Sequence, residues 1–303
     1  MLKSDRLQLA FALYFSIQHS TFSTVMCSTC DDTGWKPVEV GGVRRVVRCE
    51  CWRGEQTRRL FDQARIPPRY RRCDFDNFQV YPNEKLVNAV AAVRRFAESF
   101  PGGVKGLCLI GPHGIGKTHL AVAALRSALS RGCEGIFYEV TELLRLIRST
   151  YNPLIKTAEM QILQPLLSVP LLVLDDVGKD KPTEWVEETL TYIVNSRYND
   201  RLVTIFTSNY ADDPDLEALD SLRVHVGSRM YSRMHEMCEF INWGGADYRL
   251  LPTNGSAEDL LAQWKVMGEQ RSRLPSRAKG TLRAQLKNDG RAELGWTGGK
   301  AGS

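Results

Sequence analysis

The sequence lacks a hydrophobic segment long enough to cross a bilayer. Its most apolar stretch near the N-terminus, residues 7–17, is much shorter than the roughly 20 residues that a spanning helix needs. No convincing small-residue cleavage site follows it, as a secretory signal would require. We therefore expect no membrane partner. Residues 1–25 form an uncertain extension, for which a partner-binding amphipathic helix and a natural start at Met26 are both open.

The sequence also lacks a large charge excess and any internal repeat. Its 40 Lys and Arg residues face 35 Asp and Glu residues, a formal net charge of +5 that does not by itself indicate a nucleic-acid partner. The excess is concentrated in residues 271–303, which carry eight basic and two acidic side chains. With its Gly and Ser content, this pattern predicts a flexible basic tail over 253–303, which either contacts DNA or only aids solubility.

A phosphate-binding motif is the most specific pattern that the sequence contains. Residues 111–118 match G-x-x-x-x-G-K-[ST], between an apolar run and a helical pattern. In that context, backbone N–H groups and a helix N-terminus surround a triphosphate. Lys117 is expected to reach the β- and γ-phosphates, and Thr118 to ligate Mg²⁺. The predicted nucleotide-binding residues are Gly111, Pro112, His113, Gly114, Ile115, Gly116, Lys117, Thr118 and His119.

Polar residues follow two further apolar runs. Asp175 and Asp176 come directly after residues 171–174, and Asn209 comes shortly after residues 202–206. Because ligands of open α/β sheets bind at the carboxyl edge of the strands, these side chains are expected beside the phosphates. Asp175 is the predicted second Mg²⁺ ligand, and Asp176 is the predicted residue that polarises the attacking water. Asn209 either orients that water or is a turn or cap residue.

Four cysteines near the N-terminus have the spacing of a metal site. Cys27, Cys30, Cys49 and Cys51 form two close pairs, C-x₂-C and C-x-C, separated by a β-like stretch with Gly41-Gly42 as a turn. Four thiolates suit tetrahedral Zn²⁺. Disulfides or a redox pair are the alternatives, and the reducing cytosol expected for a P-loop protein disfavours disulfides. Residues 26–60 are therefore predicted to form a small zinc-binding module that depends on its metal for stability.

The region around this module is basic and aromatic. Residues 36–72 contain eleven Lys and Arg against four Asp and Glu, interleaved with Trp35, Trp52 and Tyr70. Basic side chains attract phosphates, and aromatic rings can stack on unpaired bases. This combination favours contact with single-stranded DNA or with a partner protein, and a solvated charged face is the alternative.

The remaining pattern predicts the fold class. Helical spacing over 83–100 precedes the P-loop strand, in a linker and leading helix over 61–104. Within a predicted ATPase domain over 105–252, we expect a strand at 135–140, a helix at 142–150 capped by Thr141, a short helix at 161–167, a helix running from 181 to 198 and a last strand at 238–242. Strands that alternate with helices predict an α/β fold with a doubly wound parallel sheet.

Several ordered segments resemble one family of ATPases. Residues 175–185, 195–198 and 204–209 resemble the DnaC/DnaI-type helicase loaders and the related IstB transposition helpers, which are AAA+ ATPases. Residues 67–78, 227–234 and 244–249 are similar to the segment before the ATPase core, the arginine-finger element and the closing element of that family. The resemblance covers about residues 65–250 and implies an AAA+ P-loop domain that binds ATP and Mg²⁺.

The resemblance also implies roles for single residues. Asn209 takes the sensor-1 position, Arg233 aligns with an arginine finger that acts on a neighbouring subunit, and Arg249 aligns with the sensor-2 arginine that acts in cis. Arg229, one helical turn before Arg233, is the second candidate for the finger. A guanidinium stabilises the charge that develops on the γ-phosphate. A finger supplied in trans implies self-association, with ATP at subunit interfaces.

Three functions follow as expectations. The leading one is a cytoplasmic, ATP-dependent loader in DNA replication that assembles on a hexameric replicative helicase and single-stranded DNA, with hydrolysis driving release. The second is an IstB-like ATPase that helps a transposase select target DNA; the zinc module favours the loader, because DnaI-like loaders carry one. The third is a nucleotide-dependent adaptor that does not hydrolyse ATP. Asp176 stands where many AAA+ proteins have Glu, which predicts slow hydrolysis.

Overall fold

The computed structural model describes residues 27–31, 33–103, 105–150, 156–179, 183–213, 221–250 and 256–273. The predictions for the extension over 1–25 and for the last part of the basic tail lie outside these residues. None of the helices in the described ranges combines the length and apolarity needed to cross a bilayer.

A small antiparallel hairpin forms the N-terminal module. Strand β1 (Trp35–Val40) pairs with β2 (Val43–Arg48) through a turn at Gly41 and Gly42, both of which have a positive φ. Helix α1 (Glu50–Gln63) follows directly, and its last turn buries Leu60 in the main core. The predicted β-like stretch with its turn at Gly41-Gly42 is therefore present, and one helix connects it to the rest of the molecule.

The central sheet has five parallel strands, β3 (Gly106–Ile110), β4 (Gly135–Glu139), β5 (Leu171–Asp175), β6 (Val203–Ser208) and β7 (Cys238–Asn242). Their order across the sheet is β4-β5-β6-β3-β7. Strands β3 and β5 are buried along their whole length, as their continuous apolar sequences require. The P-loop strand β3 lies between β6 and β7, so the loop that follows it opens at the carboxyl edge of the sheet.

Helices cover both faces of this sheet. Helices α2 (Glu84–Ser99) and α3 (Lys117–Ser130) pack with α1 on the face that includes Leu107 and Leu109. The opposite face, which includes Cys108 and Ile110, is covered by α4 (Val140–Ser149), α5 (Lys156–Ser168), α6 (Glu184–Asn199), α7 (Leu222–Val226) and α8 (Ser228–Met237). The predicted doubly wound α/β fold is confirmed.

Several predicted boundaries shift. Strand β4 ends at Glu139 and α4 begins at Val140, so Thr141 lies inside the helix and is not its cap; Glu139 occupies the cap position. Helix α5 begins at Lys156, five residues earlier than predicted. Helix α6 begins at Glu184, where the Thr183 hydroxyl accepts a hydrogen bond from the Val186 N–H at 3.4 Å.

Part of the predicted flexible tail is helical. Residues Ala257–Arg273 form α9, so the prediction of a flexible segment from residue 253 is wrong for this stretch. Leu260 is fully buried, and the Trp264 ring packs against Gly244. This apolar contact with the α/β core supplies the burial that a disordered tail would lack.

Candidate functional site

The P-loop joins β3 to α3 with the geometry of an anion-binding turn. Gly111, Gly114 and Gly116 have positive φ angles, and α3 begins at Lys117, directly after the loop. The first N–H groups of this helix therefore face the loop, where a helix N-terminus favours negative charge. The conformation fits a nucleotide phosphate.

The segment before the domain (67–78, the leading segment) and the closing element of the domain (244–249) cover this loop. A Cβ at Gly116 would lie 2.5 Å from Cε2 of Phe78, and a Cβ at Gly114 would lie 1.7 Å from Oδ1 of Asp247. Any larger residue at either position would displace a covering side chain in addition to straining the backbone. The leading segment and the closing element thus form part of the same site.

Lys117 is buried inside the loop. Its ammonium donates to the carbonyl oxygens of Gly111 and Pro112 and to Oδ1 of Asn209, each at 2.7 Å. Burial lowers the pKa of Lys117 to about 8, although Asp176 and Asp175 act in the opposite direction. The lysine and Asn209, 92 positions apart in the sequence, are in direct contact.

Asp175 and Thr118 offer adjacent oxygen atoms. The Thr118 hydroxyl donates to Asp175 Oδ1 at 2.8 Å, and the Thr207 hydroxyl donates to the same oxygen at 2.6 Å. Burial raises the pKa of the Asp175 carboxyl, and these two hydrogen bonds oppose that effect. Hard oxygen ligands of this kind are those that Mg²⁺ prefers, so the pair fits the predicted magnesium site.

Asp176 is held by its neighbours in an uncommon backbone conformation. Its φ is +62°, and its N–H donates to the Thr207 hydroxyl at 2.9 Å. The Asn209 amide donates to Asp176 Oδ1, and Lys179 Nζ lies 3.2 Å from Asp176 Oδ2. Positive φ in a non-glycine residue is rare and is found at functional sites when the surroundings enforce it.

These side chains line one open cleft of about 840 Å³. His113, Gly114, Gly116, Lys117, Thr118, His119, Asp175, Asp176, Asn209 and Arg249 all contribute to its wall. Ile115 is buried beneath the loop. The His119 ring contacts the Asp74 carbonyl at 2.8 Å and thereby anchors the leading segment beside the P-loop. Burial lowers the pKa of His119.

The two predicted arginines lie in different places. Arg249 is exposed and lines the cleft, in the 3₁₀ turn Tyr248–Leu250. Arg233 lies on α8, where its guanidinium stands over the Tyr198 ring at 5.9 Å and donates to the Arg229 carbonyl. Arg233 is not one of the described residues that line the cleft. This placement is compatible with a cis role for Arg249 and a trans role for Arg233.

The four N-terminal cysteines converge as predicted. The Sγ atoms of Cys27, Cys30, Cys49 and Cys51 all lie within 4.8 Å of one another. Four thiolates around Zn²⁺ at about 2.3 Å are separated by roughly 3.8 Å, so the cluster fits that ion. The Sγ atoms of Cys30 and Cys51 lie 3.2 Å apart and those of Cys27 and Cys49 lie 3.8 Å apart, both longer than the roughly 2.0 Å of a disulfide bond. The backbone N–H of Thr29 contributes most to lowering the pKa of Cys27 to about 7.

Some cleft residues escaped the sequence prediction. Thr207 joins Asp175 to Asp176, and Lys179 joins Asp176 to Glu139. Arg69, Tyr70 and Phe78 line the side of the cleft formed by the leading segment. Thr207 could have been found from its position at the carboxyl end of β6, two residues before Asn209, whereas the others depend on contacts distant in sequence.

Comparisons with known proteins identify related ATP-binding proteins. The profile of a family described as IstB-like ATP binding protein matches residues 46–254. The chain is 27% identical over 208 residues to the replicative helicase loader DnaC of Escherichia coli strain K12, covering 68% of this chain and 81% of that protein.

Two solved structures extend the comparison. A crystal structure of the DnaC helicase loader has a TM-score of 0.51 and 31% sequence identity, over 58% of this chain and 98% of that chain. A putative primosome component from Streptococcus pyogenes serotype M3 shares the fold, with a TM-score of 0.50 and 24% identity over 63% of this chain and 97% of that chain. The α/β core thus has the predicted AAA+ P-loop fold, and the chain belongs to the family of IstB-like ATP binding proteins.

Proposed function

We propose that this protein is an ATP-hydrolysing loader of a replicative DNA helicase. The observation that carries the proposal is the meeting of Lys117, Thr118, Asp175, Asp176 and Asn209 in one cleft. Its context is a chain similar to proteins named replicative helicase loader. The cleft supports nucleotide chemistry, and the relatives support the biological role.

The residues of the cleft divide the work of phosphoryl transfer. Lys117 and the N–H groups at the start of α3 bind the phosphates. Magnesium, held by Thr118 and Asp175, would neutralise charge on the β- and γ-phosphates. Asp176 accepts a proton from the attacking water, and Asn209 fixes the orientation of that carboxylate through its amide.

Two arginines complete the proposed reaction site. Arg249 approaches the phosphates from the wall of its own cleft. Arg233 acts on the cleft of a neighbouring subunit, where a guanidinium stabilises transition-state charge. Hydrolysis therefore depends on self-association, which couples turnover to assembly on the helicase.

The N-terminal module is the proposed contact with helicase or single-stranded DNA. Every residue of β2 is exposed, including Arg44, Arg45 and Arg48. The Arg48 guanidinium lies over the rings of Trp35 and Trp52, at 3.9 and 4.4 Å from their centroids. This basic and aromatic surface suits an acidic protein patch or a nucleic-acid strand.

The test is a binding experiment with the replicative helicase of the host or phage. The full chain is mixed with helicase in the presence of ATP and Mg²⁺, and light scattering after size exclusion gives the mass of each complex. A discrete complex that changes with ATP supports the loader. The Lys117→Ala variant, which lacks the phosphate-binding cation, is the control and should lose the ATP dependence.

A transposition role is the second candidate, because the matching family is described as IstB-like. It requires the same ATPase core but a different partner. The same experiment with a transposase encoded next to this gene discriminates between the two. Binding to the transposase and not to the helicase, with ATP hydrolysis intact, would replace the loader by the transposition helper.

A further inference from the structure

Lys179 connects two carboxylates at the edge of the sheet. Its Nζ lies 3.2 Å from Asp176 Oδ2 and 3.0 Å from Glu139 Oε1. Glu139 is the last residue of β4, and Asp176 follows the neighbouring strand β5. One ammonium thus bridges the ends of two adjacent strands inside the wall of the nucleotide cleft.

The bridge occupies the oxygen of Asp176 that Asn209 leaves available. Asn209 contacts Oδ1 and Lys179 contacts Oδ2, while the Asp176 N–H is bonded to Thr207. The carboxylate is therefore constrained on both sides. A water molecule that approaches Asp176 must share an oxygen with one of these two donors.

The charge of Lys179 also strengthens its hold on the carboxylate. A charge-assisted hydrogen bond is stronger than a neutral one, so a water molecule must compete with the ammonium for Asp176 Oδ2. Glu139 and Asp176 raise the pKa of Lys179, so its ammonium stays charged at neutral pH. The Lys179 side chain is 53% exposed, which leaves the contact open to screening by salt.

We propose that Lys179 is a positioning residue that restrains Asp176 and slows ATP hydrolysis. The inference rests on the proposed hydrolysis at this cleft and concerns its rate. Glu139 holds the ammonium at the strand edge, and Lys179 in turn occupies the carboxylate oxygen that the attacking water would contact. Slow turnover is then a property of this bridge in addition to the shorter side chain of Asp176.

The test compares two substitutions at one position. Lys179→Met removes the charge with similar volume and is expected to raise kcat roughly two- to fivefold, the effect of losing a half-exposed ion pair. The affinity for a fluorescent ATP analogue should stay the same, so the change is confined to kcat. Lys179→Arg keeps a cation and should restore slow turnover. Lys85→Met, an exposed charge loss on α2, is the matched control.

Salt gives an independent readout. Raising the ionic strength should increase kcat of the unchanged protein more than that of Lys179→Met, because only the former has the contact to screen. An equal salt response, or a kcat of Lys179→Met at or below that of the unchanged protein, overturns the inference. Failure of the unchanged protein to bind the ATP analogue would overturn the proposed function, and the inference with it.

Discussion

Lys117 combines burial with a task that requires positive charge. Three acceptors surround its ammonium, yet burial lowers its pKa to about 8. In a complex, phosphate oxygens favour the charged form and raise this pKa. Below pH 8 the free protein already carries the proton that binding needs, and above pH 8 binding must take a proton up.

Nucleotide affinity should therefore depend on pH in one direction. We expect it to be flat below about pH 7.5 and to fall as the pH rises through 8, approaching about tenfold per pH unit. Titration with a fluorescent ATP analogue between about pH 6.5 and 9.5 measures this. Lys117→Arg keeps its charge over the whole range and should remove the decline. An affinity of the unchanged protein that stays constant to the upper limit contradicts the prediction.

Arg197 shows a different use of a buried charge. Its guanidinium is fully buried and donates to the carbonyl oxygens of Leu166, Val169 and Val203 and to the hydroxyl of Thr204. Burial lowers its pKa to about 9. The side chain of one α6 residue thereby satisfies the polar groups where α5 ends and β6 begins.

Removing this side chain should destabilise the domain. Arg197→Met leaves several buried acceptors without a donor, and we expect the free energy of unfolding to fall by about 2–4 kcal/mol. Urea denaturation measures the change. Arg145→Met, an exposed arginine on α4, should stay within about 0.5 kcal/mol. Equal stability of the two variants would show that the buried bonds contribute little.

At the scale of elements, the strands that bear motifs were predictable and some helix starts were not. Continuous apolar runs identified β3 and β5, because both faces of a parallel sheet are covered. The start of α4 was missed since Val140, a β-branched residue, extends the apparent strand by one position. Its apolar side chain is instead buried in the first turn of the helix.

The sequence of α9 contains a helical spacing of apolar residues that the basic composition of the segment obscured. Leu260, Leu261 and Trp264 recur at helical spacing, and the structure packs them on the core. The basic residues that follow dominated the composition of the segment. Arg197 gave no such signal, because nothing local distinguishes a buried arginine from an exposed one on an amphipathic helix.

The N-terminal hairpin should depend on its metal while the ATPase core does not. Strand β2 has no buried residue, whereas Cys30 and Cys49, which flank the hairpin, are buried. We expect one zinc ion per chain by elemental analysis and none in Cys49→Ser. The core should keep its melting temperature within a few degrees, because its apolar clusters are built by other elements.

A cysteine outside the cluster provides the control for this measurement. Cys133, partly buried after α3, is expected to be replaceable by Ser without zinc loss. Retention of a full zinc equivalent by Cys49→Ser would contradict the four-thiolate site. Global unfolding of that variant would instead show that α1 transmits metal loss to the core.

At the scale of the molecule, the site is assembled from parts that are far apart in sequence. Phe78 and Asp247 both approach the P-loop, across 38 and 133 positions respectively when counted from Gly116 and Gly114. The motif predicted the loop, but the side chains that cover it come from the leading segment and the closing element, which fold back onto it. Such contacts follow from the tertiary structure and have no local pattern.

The different positions of Arg249 and Arg233 predict different defects. Arg249→Ala should weaken nucleotide binding to the isolated protein, because Arg249 lines its cleft. Arg233→Ala should leave that affinity intact and lower hydrolysis at high protein concentration by about a hundredfold or more. Nucleotide titration and ATPase rates measured against protein concentration distinguish the two.

Mixing two inactive variants tests the direction of the arginine finger. Arg233→Ala subunits can bind nucleotide, and Lys117→Ala subunits can supply the finger, so the mixture should regain activity. Arg229→Ala, one turn earlier on α8, serves as the comparison. Absence of recovery, with both variants folded, would place the action of Arg233 within its own subunit.

Helix α1 is a continuous helical link between the cysteine module and the domain that contains the nucleotide cleft. It begins between the paired cysteines and ends in the core, without a loop between. Each residue of an α-helix adds a rotation of about 100° about the helix axis and a rise of about 1.5 Å along it. An alanine inserted into its exposed middle would therefore rotate the basic hairpin relative to the nucleotide cleft. The residues of the cysteine cluster and of the cleft would stay the same. Partner binding by this variant would then show whether the orientation of the hairpin is required in addition to the affinity of its surface.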